Sequence, residues 1–326
     1  MRIRLRRKGA IYFCADKMDF RILGPVFMGW SLGANHAANV FGTAVSSSMV
    51  RYRTAVILTA VFVLIGSLLG GRSGIETLSG LTAQTANTAF VISVAAALAV
   101  FIMTFLHLPV STSQTVIGAI LGIGFLNKHI ELQGLTKVFI CWLGTPIGAA
   151  IIAFVLYKST STILRKLSLH FIAYDRLIRI LLILAGVYGA YALGANNVAN
   201  VTGVFYKAGA LTLNQALLIG GASIGLGALT YSRNVMYTVG RRIIPLDAFS
   251  AFIAVLAQAI TVHIYAIIGV PVSTTQAVVG AVLGIGFLKG IRTVSKETVF
   301  KILAGWFLTP VVGAAFCLLL YFLVSK

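Results

Sequence analysis

Gly33-Ala34-Asn35-His36-Ala37-Ala38-Asn39 lies inside an apolar run from about Phe20 to Ser48, and Gly194-Ala195-Asn196-Asn197-Val198-Ala199-Asn200 lies inside another from Leu177 to Phe205. The two heptapeptides are nearly the same text. Each places Asn, His or Gly in a stretch whose natural solvent is hydrocarbon, where polar side chains are costly unless a bundle interior or a wet cavity receives them. A chain that repeats this pattern reads as a membrane protein of two related halves.

Composition agrees. Of 326 residues, 59% are hydrophobic and only 10% charged, with a mean hydropathy of +0.97, far from the balance of a soluble domain. In hydrocarbon every backbone group must be satisfied internally, so spanning elements are helices or a closed barrel. The apolar runs are about 20 residues long without period-two alternation, which selects helices. The formal charge of +19 comes from 26 Lys and Arg against seven Asp and Glu. These cations sit between the apolar runs, where positive-inside loops and lipid headgroups account for them, and no nucleic-acid-binding motif accompanies them. No nucleic-acid partner is expected. Cys14, Cys141 and Cys317 show no metal-ligand spacing and are read as packing residues. No cofactor is implied.

Taken in order, a basic tail over 1–19 comes first; its apolar patch Gly9 to Cys14 is too short for a signal-peptide core and is read as uncleaved. The run from Phe20 to Ser48 exceeds the roughly 20 residues of one straight span, which predicts a bent or broken helix at the first heptapeptide. Apolar segments follow near Arg53 to Gly70, Thr85 to His107, Pro109 to Leu126 and Thr136 to Tyr157. A basic linker over 158–176 separates the first membrane repeat, 20–157, from the second, 177–326. There the order returns as Leu177 to Phe205, Leu211 to Tyr231, Asp247 to Gly269, Pro271 to Leu288 and Val299 to Val324. Gly33 and Gly194 are 161 residues apart, Pro109 and Pro271 162, and Pro146 and Pro310 164. The expected fold is therefore an all-α integral membrane protein of about ten transmembrane or broken helical segments. With five segments per half, the repeats are inverted, a plan common among secondary transporters. Loop charges favour an external N-terminus and a cytoplasmic linker, against the vote of the basic tail.

Chemistry is expected where breakers and hydrogen-bonding side chains meet inside apolar runs. Pro109-Val110-Ser111-Thr112-Ser113-Gln114 matches Pro271-Val272-Ser273-Thr274-Thr275-Gln276. The prolines read as first-turn residues of helices, where a missing N–H costs nothing. A helix start rich in hydroxyls presents free N–H groups and the positive end of the dipole, which suits an oxyanion. Taken singly, Ser or Thr in a membrane helix more often bonds to its own backbone, and small residues such as Gly118, Gly122, Gly280 and Gly284 mark close packing. Two matched clusters reverse that judgement. Asn35 with Asn39, and Asn196 with Asn200, lie four apart on one helical face; they serve as helix glue, as substrate ligands or as oxygen ligands for sodium. His36 is a proton carrier or a bonded core histidine. His107 and His263, near segment ends, read as interfacial.

The heptapeptides resemble the Gly-Ala-Asn-Asp-Val-Ala-Asn signature of the inorganic phosphate transporter family, and the Pro-Val-Ser-Thr segments resemble its second repeated motif. Tyr237-Thr238-Val239-Gly240 with Ile244-Pro245-Leu246 is similar to the family's second half. The resemblance covers nearly all of the chain from Phe20 onward. It implies a multi-pass permease of the cell inner membrane that carries an inorganic oxyanion by alternating access, coupled to sodium or protons. Ser111, Thr112, Ser113, Gln114, Ser273, Thr274, Thr275 and Gln276 would surround the anion. Asn35, His36, Asn39, Asn196, Asn197 and Asn200 would hold an ion or shape the site, with sodium at the four Asn residues of the two matched pairs. The acidic position of the signature is His36 in one half and Asn197 in the other, and Gln114 and Gln276 stand where a His often follows the hydroxyl run. None of the seven acids falls mid-span. Hydrogen phosphate carries an O–H donor that a carboxylate would accept, whereas sulfate has only acceptors, and an unpaired buried donor costs about 1 to 3 kcal/mol. The departures tilt the expectation toward sulfate, with phosphate the alternative substrate. A membrane enzyme is disfavoured, since no Ser-His-acid set is evident. An anion channel is the nearer rival. The partners expected are the anion, a coupling ion, the lipid bilayer and, as a homo-oligomer, further copies of the chain.

Overall fold

Helical hydrogen bonding takes up almost the whole backbone in a computed structural model, which describes residues 20–105, 111–128, 130–238, 246–289 and 296–324. After a 3₁₀ turn at Phe20–Ile22, the first half contains α1 (Leu23–Ser46), α2 (Tyr52–Gly70), α3 (Arg72–Gly80), α4 (Ala86–Phe105), α5 (Thr112–Leu126) and α6 (Leu132–Lys166). The second contains α7 (Phe171–Lys207), α8 (Leu213–Tyr231), α9 (Arg233–Thr238), α10 (Ala248–Ile268), α11 (Thr274–Lys289) and α12 (Lys296–Val324). Seven described helices, α2, α4, α6, α7, α8, α10 and α12, contain a stretch long and apolar enough to cross a membrane. The chain is an all-α, multi-pass integral membrane protein. Pro109, Val110, His107, Cys14, the basic tail, Val239-Gly240 and Ile244-Pro245 lie outside the described residues.

The packing comes in matched couples. α1 packs on α8 as α7 packs on α2; α5 packs on α12 as α11 packs on α6; α4 meets α1 as α10 meets α7. Glycines make these crossings possible. A Cβ at Gly33 would overlap the carbonyl oxygen of Ile224, and one at the matching Gly194 would overlap that of Val63. Gly118 sits in the same way on the backbone of Pro310, and Gly280 on that of Pro146. Close backbone approach lets dispersion hold the helices where lipid offers no hydrophobic drive.

Two expectations change, and the basic linker acquires a secondary structure. Both heptapeptides lie within unbroken α-helix, α1 and α7. The Asn and His side chains are held by hydrogen bonds both to other elements and within their own helix, and the excess length of the first run is absorbed by the 3₁₀ turn before α1 and the bends after Ser46. Pro271 does not open α11; it precedes the first helical residue, Thr274, by three positions, and Ser273 caps the helix instead, its Oγ accepting from Gln276 N at 3.2 Å. The span 158–176 is mostly helical, since α6 continues to Lys166 and α7 begins at Phe171. The short helices α3 and α9, at matching places, were not foreseen.

At 15 and 16 residues, α5 and α11 rise only about 22 to 24 Å, short of a hydrocarbon core of about 30 Å. Each starts inside the protein. The α10–α11 connection turns at Gly269, whose φ of 81° is left-handed, and continues through Val270, Pro271, Val272 and Ser273, all buried. Irregular backbone is tolerated at such depth only when protein supplies its hydrogen bonds.

Candidate oxyanion site

Asn196 supplies those bonds. Its Nδ2 donates to Val272 O at 2.8 Å and its Oδ1 accepts from Val272 N at 3.0 Å, so one amide side chain replaces the strand partner that the turn lacks. Ser113 adds a second donor to Val272 O at 3.0 Å. The start of α5 is thereby tied to the turn before α11, and the two Ser/Thr clusters meet. Ser111 caps α5 as Ser273 caps α11, its Oγ accepting from Gln114 N at 3.4 Å.

His36 sits between the clusters, 1% exposed. Its Nε2 lies 2.7 Å from Thr112 Oγ1, and its Nδ1 lies 2.6 Å from Thr274 Oγ1 and 2.9 Å from Asn39 Nδ2. An amide N–H can only donate, so Nδ1 accepts and the ring proton resides on Nε2, which donates to Thr112. One imidazole thus joins a hydroxyl from each half. Asn39 also donates to Thr275 Oγ1 at 3.3 Å. The matching contact on the other side is Asn200 Nδ2 to Ser113 Oγ at 2.9 Å.

Asn197, at the position matching His36, behaves differently. Its Nδ2 donates to Leu193 O in its own helix at 3.2 Å, and its Oδ1 accepts from Asn200 at 3.1 Å. It reaches neither hydroxyl cluster. Asn35 is partly buried and engaged. Gln114 and Gln276 are buried at 4% and 2% exposure, and each Oε1 is without a partner, as is Asn200 Oδ1. Of the four Asn residues considered for sodium, Asn196 has its carbonyl oxygen committed to the backbone, while that of Asn200 is free.

The arrangement is a largely buried cluster of hydroxyls, amides and one imidazole at two helix N-termini. Among the described residues no Asp or Glu hydrogen-bonds to it, and no group of three His, Cys, Asp or Glu gathers anywhere. It can bind an anion by N–H and O–H donors without a fixed counter-charge. His263 lies apart, its Nδ1 2.8 Å from Tyr188 Oη. Sequence reasoning missed the Val272 backbone as a partner of Asn196, and it missed Gln258, fully buried with both amide atoms unpaired; a Gln in an apolar run was the available signal.

A model of the phosphate transporter family matches residues 32–317, which include both heptapeptides and both hydroxyl clusters. The chain belongs to the phosphate transporter family. A relative in Methanocaldococcus jannaschii, with the provisional name phosphate permease, is 33% identical over 310 residues, covering 95% of this chain and 97% of the relative. The sulfate permease CysP of Bacillus subtilis is 30% identical over 311 residues, covering 94% of this chain and 87% of that protein. In fold the chain is similar to a solved structure titled the sodium-dependent phosphate transporter, with a TM-score of 0.82 at 22% identity, over 94% of this chain and 98% of the other. This phosphate transporter family member is therefore a transport protein of the membrane, built on the fold of that structure.

Proposed function

We propose that the protein is a secondary transporter of an inorganic oxyanion, sulfate in preference, working by alternating access between two inverted repeats. The observation that carries this reading is the bridge from Thr112 through His36 to Thr274. It puts one hydroxyl-capped helix start from each half on a single uncharged side chain, where a small dianion would meet donors from both. One helix terminus contributes up to about 2 kcal/mol when partly buried, so two, with neutral hydrogen bonds of about 1 kcal/mol each, bind weakly enough to release. Motion of one helix bundle against the other then exposes the anion site to either side.

Sulfate is favoured because the cluster lacks a carboxylate to accept the O–H of hydrogen phosphate, and the name of one relative, sulfate permease, points the same way. A specific observation supports the phosphate reading: the unpaired oxygens of Gln114, Gln276 and Asn200 are buried acceptors that a protonated anion would satisfy. Coupling is assigned to protons or sodium. When Nδ1 of His36 takes a proton it becomes a donor to Thr274, whose hydroxyl is then released toward the anion. Sodium would instead use amide oxygens, of which Asn200 Oδ1 is free.

Uptake of radiolabelled sulfate and phosphate into liposomes carrying the purified protein tests all of this, with and without imposed proton and sodium gradients. Sulfate uptake that exceeds phosphate uptake and rises with one gradient is the expected result. Entry of neither anion under any gradient would sink the transport reading, and single-channel currents would replace the carrier by a channel.

A further inference from the structure

The two halves differ in what lies beyond the site. On α1, Asn35, Asn39, Thr43 and Ser46 recur at helical spacing, and all four are partly exposed. Asn39 donates to Thr275 of α11, which is also partly exposed, so the stripe faces the hairpin that carries the second cluster at Asn39. The hydroxyl oxygen of Thr43 is buried and has no partner. On α7 the matching residues are Asn196, Asn200, Val204 and Lys207; the first three are buried and only Lys207 is exposed. Val204, at 3% exposure, stands where α1 has Thr43.

Direction follows from neighbours. Phe41 packs on Gly186, and Phe205 on Gly24, so α1 and α7 run antiparallel and the C-terminal end of α1 lies at the end of the bundle that holds Leu167–His170, between α6 and α7. We infer that the Asn35–Asn39–Thr43–Ser46 stripe is the wet wall of the anion's path between the site and that end, and that Val204 closes the matching path at the opposite end in this conformation. The inference rests on the transporter reading but concerns access, which is measured separately. An unpaired hydroxyl buried in an apolar bundle is costly unless water or a passing solute satisfies it. A valine at the equivalent place offers a hydrated anion nothing.

The test is labelling by a negatively charged, membrane-impermeant methanethiosulfonate in vesicles of both orientations, with Cys14, Cys141 and Cys317 replaced by Ser. His170→Cys, in the exposed connection, marks the side. Thr43→Cys should react from the same side as His170→Cys, be slowed by added sulfate or phosphate and lose uptake on modification; Val204→Cys should stay unreactive from both sides. Ser46→Cys repeats the measurement should Thr43→Cys fail to fold. Labelling of Thr43→Cys and Ser46→Cys from neither side, or no faster than Val204→Cys, would overturn the inference even if uptake is normal. Conversely, normal labelling with no uptake of any anion leaves the path standing and removes the transporter reading. Thr43→Val should slow uptake about fivefold, the equivalent of one neutral hydrogen bond.

Discussion

The two heptapeptides occupy matching helices, cross matching partners and differ by two residues, yet they do different things. The first places His36 between Thr112 and Thr274 and leaves Asn35 and Asn39 partly exposed. The second turns Asn197 back onto its own helix and buries Asn196 and Asn200 against the Val272 turn and Ser113. The second heptapeptide serves as scaffold, while the first is the one that touches both hydroxyl clusters. The two frames are alike in packing, and the contacts differ at one matching position, imidazole against amide.

The frame itself is the part the halves share, and breaking it has the largest effect. Gly33→Ala and Gly194→Ala each push a methyl group into a backbone carbonyl of the crossing helix, and each is expected to cost about 3 kcal/mol through overpacking that the helix pair cannot relieve. Thermal unfolding in detergent should show similar losses for both. A loss confined to one of them would mean that the two crossings are not equivalent.

A second experiment asks whether the tasks are separate. His36→Ala removes the bridge between two hydroxyls and should slow anion uptake about 10- to 100-fold, the equivalent of one or two buried hydrogen bonds, with little change in folded yield. Asn197→Ala should slow it far less. Equal defects in uptake would return the two positions to one role.

The smallest effect concerns an ionic contact in one hairpin alone. Asp247 caps α10, accepting from Ser250 N at 2.9 Å and from Lys289 at the end of α11; the matching positions in the first half are Thr85 and Asn127, which carry no charge. Burial alone would raise the Asp247 carboxyl, but the hydrogen bonds from Lys289 and Ser250 outweigh it and hold the group below the ordinary carboxylate range. A depressed folded value means that the stabilisation is complete above the unfolded pKa, near 3.9, and is lost as pH falls through the folded value. Lys289→Met should therefore lower the unfolding temperature slightly at neutral pH, and the difference should shrink in acid. A difference that stays constant down to pH about 3 would show that Lys289 acts by packing.

The repeat was legible because both motifs recur in order, and the apolar runs were legible because lipid demands them. Where helices begin was less so. Pro271 advertises a first helical turn, but the turn from Gly269 is buried and Asn196 satisfies its backbone, so Ser273 takes the cap; a contact 76 residues away leaves no local signal. The break expected at the first heptapeptide is absent from α1 for a related reason. Asn and His look like helix disturbers when their partners are unknown, and several of those partners are far away in sequence. Hydroxyl and amide residues singled out in the sequence do come together in space, whereas the inequality of the halves depends on burial, which two nearly identical heptapeptides cannot express.

The short hairpin helices set a timetable for biogenesis. α11 docks on α6, and the turn before it hangs on Asn196 of α7; both helices are made earlier and stand ready when the hairpin emerges. α5 has no such host. Its glycine face closes on Pro310 of α12, a helix of the other half that is made after it, so this contact cannot form until α12 has been synthesised. A half-repeat that looks finished in sequence thus lacks its main partner for α5 until the other half is made.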